Sequence, residues 1–337
     1  MSQLPLFDES DHVRAGTRPT HPSSYEDRLA AAHAEAAVMA ASLPAGVRFG
    51  TSSWAFPGWA GIVYPAGSTQ GALARDGLRD YARHPLLRTV GIDRSYYAPI
   101  PIEDLRRYAD QLPGGFPCCA KAPAAVTSRV SPGTGGPGRG SPNPHYLDPD
   151  RFIEDTLEPF AIAFREHCGP FVLEFPPSRR GRAVDAAAFI DGLDRFLGAL
   201  PRDFRYAVEL RDEALLGEGY RAVLARHGVA HVYNYWSAMP MPGPQAARVP
   251  VDVAPFTVVR LLLRPGTWYE DQRERFRPFN RLVAPDAAMR ADVAGIVARA
   301  TRAERPAYVL VNNKAEGSAP LTIRALAEAV VAALRAS

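Results

Sequence analysis

Eight short runs rich in Val, Ile and aromatic residues, separated by stretches with helical character, constrain the fold of this chain more than any other feature. They cover residues 47–53, 89–96, 116–121, 171–175, 206–211, 230–235, 256–263 and 307–312. Helical patterns lie between most of them, among them 102–111, 151–167, 185–200 and 219–227, and a last one at 321–336 closes the chain. Strands that alternate with helices pair in parallel through right-handed crossovers. Eight such units predict a closed (β/α)8 TIM-type barrel rather than an open doubly wound sheet, and no GxGxxG follows the first run to suggest a dinucleotide fold. Ahead of the barrel, an Ala-rich stretch at 25–43 ends before Pro44-Ala45-Gly46, which predicts an N-terminal helical extension over 24–46. Residues 1–23 are polar and Pro-containing and read as a disordered tail, which leaves 47–337 for the barrel.

A chain of 337 residues, 47% hydrophobic, can bury a core that needs no disulfide staples. The formal charge of +3 is too small to argue for nucleic acid by itself. Of 39 Lys and Arg only Lys121 and Lys314 are lysines, which reads as a coding bias toward Ala, Arg, Gly and Pro. Cys118, Cys119 and Cys168 make neither a CxxC pair nor a disulfide framework, so a reducing, cytoplasmic setting is expected. No apolar run is long enough to cross a bilayer, and no membrane partner is expected.

Functional groups of such a barrel belong at the C-terminal ends of its strands. Side chains two apart share a face of a strand, so Glu209 and Arg211 go together, as do Asp93 and Ser95. Lys121 ends the third run and Glu174 comes late in the fourth. Asn234 is late in the sixth, Arg260 lies inside the seventh, and Asn312 and Asn313 follow the eighth. Thr51 and Ser53 end the first run, so the aromatics that follow, Trp54 and Trp59 among them, are expected to wall a pocket on the same mouth. A buried ion pair between Glu209 and Arg211 that merely closes the barrel is the alternative. Ser318 and Pro320 suit the start of the last helix, where free N–H groups are suited to an anion, although an ordinary capped helix would read the same.

The eight histidines are scattered, and the trio Asp93, Glu174 and Glu209 is weak evidence for magnesium, so neither metal nor cofactor is expected. Two connections look inserted. One, 122–147, has the Gly- and Pro-rich composition of a loop. The other, 266–286, mixes Trp268, Tyr269, Phe276 and Phe279 with four arginines. That mixture suits either a single-strand nucleic-acid surface or a loop clamped on the barrel by its aromatics.

The segment from Gly50-Thr51-Ser52-Ser53-Trp54 to Trp59, Tyr64 and Pro65 resembles the opening motif of the domain of unknown function 72 (YecE-like) family. Lys121-Ala122-Pro123, Glu209-Leu210-Arg211, Arg260 and Asn312-Asn313 with Gly317, Ala319 and Pro320 match in the same order, over roughly residues 47 to 335. The resemblance implies a TIM barrel and a pocket, but no reaction. It also exposes departures. The strand-two Glu, followed two residues on by Asn, here reads Gly91-Ile92-Asp93; Glu174 stands where Gln is usual; and the His-Gly after Arg260 is absent.

At the N-terminus, Gln3-Leu4-Pro5-Leu6-Phe7 resembles the peptide by which bacterial replication and repair proteins hold the sliding clamp, with Leu6 and Phe7 as apolar anchors and Gln3 as polar contact. The chain is therefore expected to be an enzyme, of hydrolase or lyase type, acting on a small anionic or phosphorylated substrate. Glu209 is the candidate general acid or base beside Arg211, and Lys121 and Asp93 are further catalytic candidates. Lys121 and Arg260 are expected to hold the anion while Asn312 and Asn313 orient it; Thr51, Ser53, Trp54, Trp59, Glu174, Arg211 and Asn234 complete the binding residues. The alternatives are a DNA-maintenance accessory protein tethered to the clamp and a barrel that only binds a ligand.

Overall fold

In the computed structural model, which describes residues 24–131, 141–177 and 185–336, the eight runs are eight parallel strands. They are β1 (Val47–Thr51), β2 (Leu87–Ile92), β3 (Cys118–Lys121), β4 (Cys168–Phe175), β5 (Tyr206–Leu210), β6 (Ala230–Tyr235), β7 (Thr257–Leu261) and β8 (Ala307–Val311). Neighbours in the sequence are neighbours in the sheet, and β1 closes the ring against β8, Val47 opposite Ala307 through Thr51 opposite Val311. The proposed tail with Gln3, Leu6 and Phe7 lies outside the described residues, as does the Gly-rich centre of the 122–147 connection.

Alternation along the strands sorts the core into two bodies. Val172, Ala207, Ala230, Val232, Val258, Tyr308 and Leu310 pack together as one group and fill the barrel interior. A larger group lies between the strands and the helices outside them. With each fully buried aliphatic or Phe side chain contributing about 1.5–3 kcal/mol, these layers make a rigid base for whatever stands on the strand ends.

Two elements differ from the sequence pattern for identifiable reasons. The second strand stops at Ile92, because Asp93–Tyr96 turns into a short 3-10 helix. Ser95 pins that turn: its Oγ lies 2.8 Å from the Ile92 carbonyl and 2.7 Å from the Lys121 carbonyl, either of which it can donate to. The helix expected over 151–167 is interrupted. Pro159 has no N–H to return to the preceding turn, and Ile153–Leu157 widens into a π-turn before the helix resumes at Glu158–Ala163.

The N-terminal helix, Tyr25–Ala41, opens with a capping box between Ser24 and Asp27. It lies on the barrel through small side chains, Ala36 and Ala40, together with the pair Glu35–Arg324 at 2.5 Å. His33 meets His84 edge to face there, ring centroids 5.0 Å apart, and each ring keeps one buried nitrogen without a partner. Burial, and then the neighbouring His33, lowers the His84 imidazole to about 3, so it is neutral in the fold. The unfolded chain takes up that proton near 6.5, so the contribution of a neutral His84 is complete above pH 6.5 and is lost as pH falls toward 3. The loss reaches at most about 1.4 kcal/mol per pH unit. In urea unfolding from pH 7 to pH 4.5, His84→Leu is expected to show a flatter decline than the native chain; parallel declines would remove His84 as a cause.

Candidate functional site

Register puts two carboxylates side by side at the mouth. Glu174 of β4 is directly opposite Glu209 of β5, on strands that run under 5 Å apart. Two such charges repel unless cations reach them, and three neighbouring elements supply the cations. Lys121, the last residue of β3, brings Nζ to 2.8 Å from Glu174 Oε2. Arg211, just beyond β5, reaches the same oxygen at 2.8 Å and lies 2.7 Å from Glu209 Oε1, an ion pair without hydrogen-bond alignment. Arg260 of β7 spans the centre. One terminal nitrogen meets Glu209 Oε2 in a very short contact and Glu174 Oε2 at 3.3 Å; the other donates to both oxygens of Asp93, at 3.0 and 3.2 Å. The result is a six-residue cluster of three acids and three bases.

Aromatic rings shield the cations from water. Lys121 Nζ sits 3.8 Å from the centre of the Tyr96 ring, and the Arg211 guanidinium 3.9 Å from that of Trp236. Burial alone would raise the Glu174 carboxyl, but Arg211, Lys121 and Arg260 outweigh it and hold the group well below the usual carboxylate range. Burial would lower Arg260, and Glu209, Asp93 and Glu174 overcome it to hold the guanidinium above its ordinary value.

Access separates the members of this cluster. Glu209 has no exposed surface, and Arg260 is 1% exposed. Asp93 has 32% of its side chain open, and Glu174 and Lys121 smaller shares. The general acid or base expected at Glu209 is therefore sealed behind two arginines, where it positions them. Reachable carboxylates are Asp93 and Glu174. Three acids do not make a metal cage here, since a guanidinium stands between them; among the described residues no group of three or more His, Cys, Asp or Glu could hold an ion.

The remaining expected site residues go elsewhere. Thr51 is buried, its Oγ1 donating to the Ser53 carbonyl at 2.7 Å, and Ser53 is half-buried beside it. Trp54 gives its indole N–H to the Leu73 carbonyl and Trp59 gives its own to Asn313 Oδ1 at 3.0 Å, both rings being buried. Trp59 thus ties the first loop to the last, and Trp54 ties it to the segment around Leu73, rather than walling a pocket. Asn313 Oδ1 also caps the last helix by accepting from Ala319 N, and Asn312 Oδ1 accepts from Lys314 N. Asn234 braces strands, donating to the Leu210 carbonyl while Gln245 donates to its own carbonyl. A Cβ at Gly91 would lie 2.9 Å from the Ser52 carbonyl oxygen, so no glutamate fits there and the cluster is completed by Asp93 and Glu174.

The 266–286 connection divides in two. Phe276 is buried and Phe279 meets Phe56 at 5.9 Å, clamping this segment to the first loop. Trp268 and Tyr269, at the start of a helix over Tyr269–Phe276, stay exposed. Sequence reasoning missed Tyr96, Tyr97 and Trp236 as neighbours of the charges. The signal available was position, since Tyr96 ends one of the eight runs and Tyr97 and Trp236 directly follow the runs 89–96 and 230–235.

The family model described as "Protein of unknown function DUF72" matches residues 48–336. Among solved structures, a DUF72 family protein from Thermotoga maritima superposes with a TM-score of 0.60 at 18% identity, over 84% of this chain and 98% of its own. One from Enterococcus faecalis gives 0.57 at 17% identity, over 86% and 96%. At such identities the likeness speaks for the fold alone. No curated protein matches the sequence. No helix among the described residues is long and apolar enough to cross a membrane. With the family model spanning nearly the whole chain and the barrel closed as described, the protein belongs to the DUF72 family.

Proposed function

We propose that the barrel mouth binds a small anionic substrate, a carboxylate or a phosphate, and turns it over with Glu174 and Asp93 as the reacting carboxylates. One observation carries this reading: Glu174 Oε2 gathers Lys121, Arg211 and Arg260 within 3.3 Å, an arrangement of cations built for an anion and occupied by the protein's own side chain. An entering anion draws Lys121 and Arg211 to itself. Glu174 then loses its strongest partners at the mouth and becomes free to accept a proton from the bound molecule. Glu209 and Arg260, sealed below, keep the geometry while the upper pairs exchange.

The charges give two variants opposite signs. Glu174→Gln removes the internal competitor and is expected to tighten inorganic phosphate binding by about 10-fold, worth about 1.4 kcal/mol. Lys121→Ala removes a cation and is expected to weaken it by at least that much. Isothermal titration at low ionic strength reads both. Phosphate affinity that falls in Glu174→Gln, or is unmoved in Lys121→Ala, refutes displacement.

A further inference from the structure

Only two of the 39 basic Lys and Arg side chains are lysines, and the fold brings both to the same end of the barrel, each over a tyrosine ring. Lys121 is paired with Tyr96, and Lys314, in the loop after β8, has Nζ 4.4 Å from the centre of the Tyr269 ring. Tyr96 in turn meets Tyr97 edge to face at 5.4 Å. Tyr97 is raised above an ordinary phenol, first by partial burial and then by the charges of Asp93, Tyr269 and Glu174. Tyr97 is nonetheless 84% exposed and Trp268, next to Tyr269, 69%. Among the described residues Tyr97 is the most exposed large hydrophobic side chain, and Trp268 and Tyr269 put two more open rings next to each other along the chain. The clamp of the 266–286 connection does not require them, because Phe276 and Phe279 already perform it.

Contacts lead outward from the buried cation cluster, from Glu174 to Lys121, Tyr96 and the exposed Tyr97, and Lys314 with Tyr269 makes a second pairing of cation and ring at the same barrel end. An aliphatic acid or inorganic phosphate would use only the inner end of these contacts. We propose that the substrate of this mouth is a nucleoside monophosphate, with the phosphate at Lys121 and the base stacked on the Tyr97, Trp268 and Tyr269 rim. The flat faces of the rim suit any base, and Lys314 adds a cation beside the stack, where a ligand's phosphate or a base carbonyl can meet it. This inference rests on the anion reading above, and a failure of one is distinguishable from a failure of the other.

The test compares adenosine 5′-monophosphate, ribose 5-phosphate, inorganic phosphate and a short single-stranded oligonucleotide on the full-length protein, by titration calorimetry at two salt concentrations. The expected result is adenosine monophosphate binding about 10-fold or more tighter than ribose 5-phosphate, the usual scale of one stacked base. In Trp268→Ala and in Tyr97→Ala, whose folding is checked by unchanged melting, that ratio is expected to fall to within about 3-fold. Equal affinity for adenosine monophosphate and ribose 5-phosphate overturns the rim and leaves the anion site standing. No binding of phosphate or of either phosphate ester overturns both. An oligonucleotide that binds more tightly than the mononucleotide, with affinity collapsing as salt rises, overturns the mononucleotide assignment in favour of a strand.

Discussion

Arg260→Met is expected to destabilise the protein by about 3–5 kcal/mol in urea unfolding, among the largest effects of any single substitution here. The reason lies in what stays behind. Arg260 is 1% exposed and pairs with Glu209, Glu174 and Asp93, so its loss leaves Glu209 buried with a single, poorly aligned guanidinium. A buried carboxylate without its cation has to be desolvated or protonated, and either cost falls on the folded state alone. Adding Glu209→Gln to Arg260→Met is expected to recover part of the loss, since it removes the stranded charge. If Arg260→Met alone costs under about 1 kcal/mol, or the second substitution makes matters worse, the cluster does not hold the mouth in the way described.

Trp59→Ala is expected to cost a similar amount, about 3–5 kcal/mol, by a different mechanism. Its ring has no exposed surface and lies against Phe56 at 4.9 Å and Tyr64 at 6.3 Å, so truncation opens a cavity among groups that cannot close over it. Trp59→Phe separates the two contributions. It keeps most of the packing and removes only the indole N–H that Asn313 Oδ1 accepts, while Ala319 N still donates to that oxygen. About 1–2 kcal/mol is expected for Phe, measured in the same unfolding series. Equal losses for Ala and Phe would mean that the hydrogen bond between the first and last loops matters more than the volume of the ring.

The barrel itself was readable along the chain. Strand periodicity, helical patterns between the strands and the count of eight depend on local order, and the observed strands fall within or close to the runs that predict them. Errors sit where one distant contact outweighs a local tendency. Asp93–Tyr96 reads as more strand, yet Ser95 is within reach of the Lys121 carbonyl and the chain turns there. Residues 151–167 read as one helix, and the proline inside it sets a π-turn.

Within the site, residue types were legible but roles were not. Lys121, Glu174, Glu209, Arg211, Arg260 and Asp93 could all be assigned to one mouth, because strand ends of a parallel barrel point the same way. Which of them meets solvent could not be told, since exposure depends on the three-dimensional order of layers. Glu209 and Glu174 are indistinguishable as letters on adjacent strands. In the fold one is sealed and the other stands at the opening. Trp54 and Trp59 likewise looked like pocket walls, and only the placement of Leu73 and Asn313 shows that their N–H groups are already taken.

Sequence by itself determined the closed eight-stranded architecture, the family, and the end of the barrel on which the charged residues gather, because each follows from short-range pattern and from the shared direction of parallel strands. Tertiary structure decided that three acids and three bases neutralise one another as a single cluster, that Glu209 lies beneath it, and that the two lysines of the chain stand over tyrosines at the mouth. Those facts depend on distances between residues as much as 167 positions apart, such as Arg260 and Asp93. Charge pairing is won or lost over about an ångström in a dry interior, and no spacing along a chain sets a separation that small.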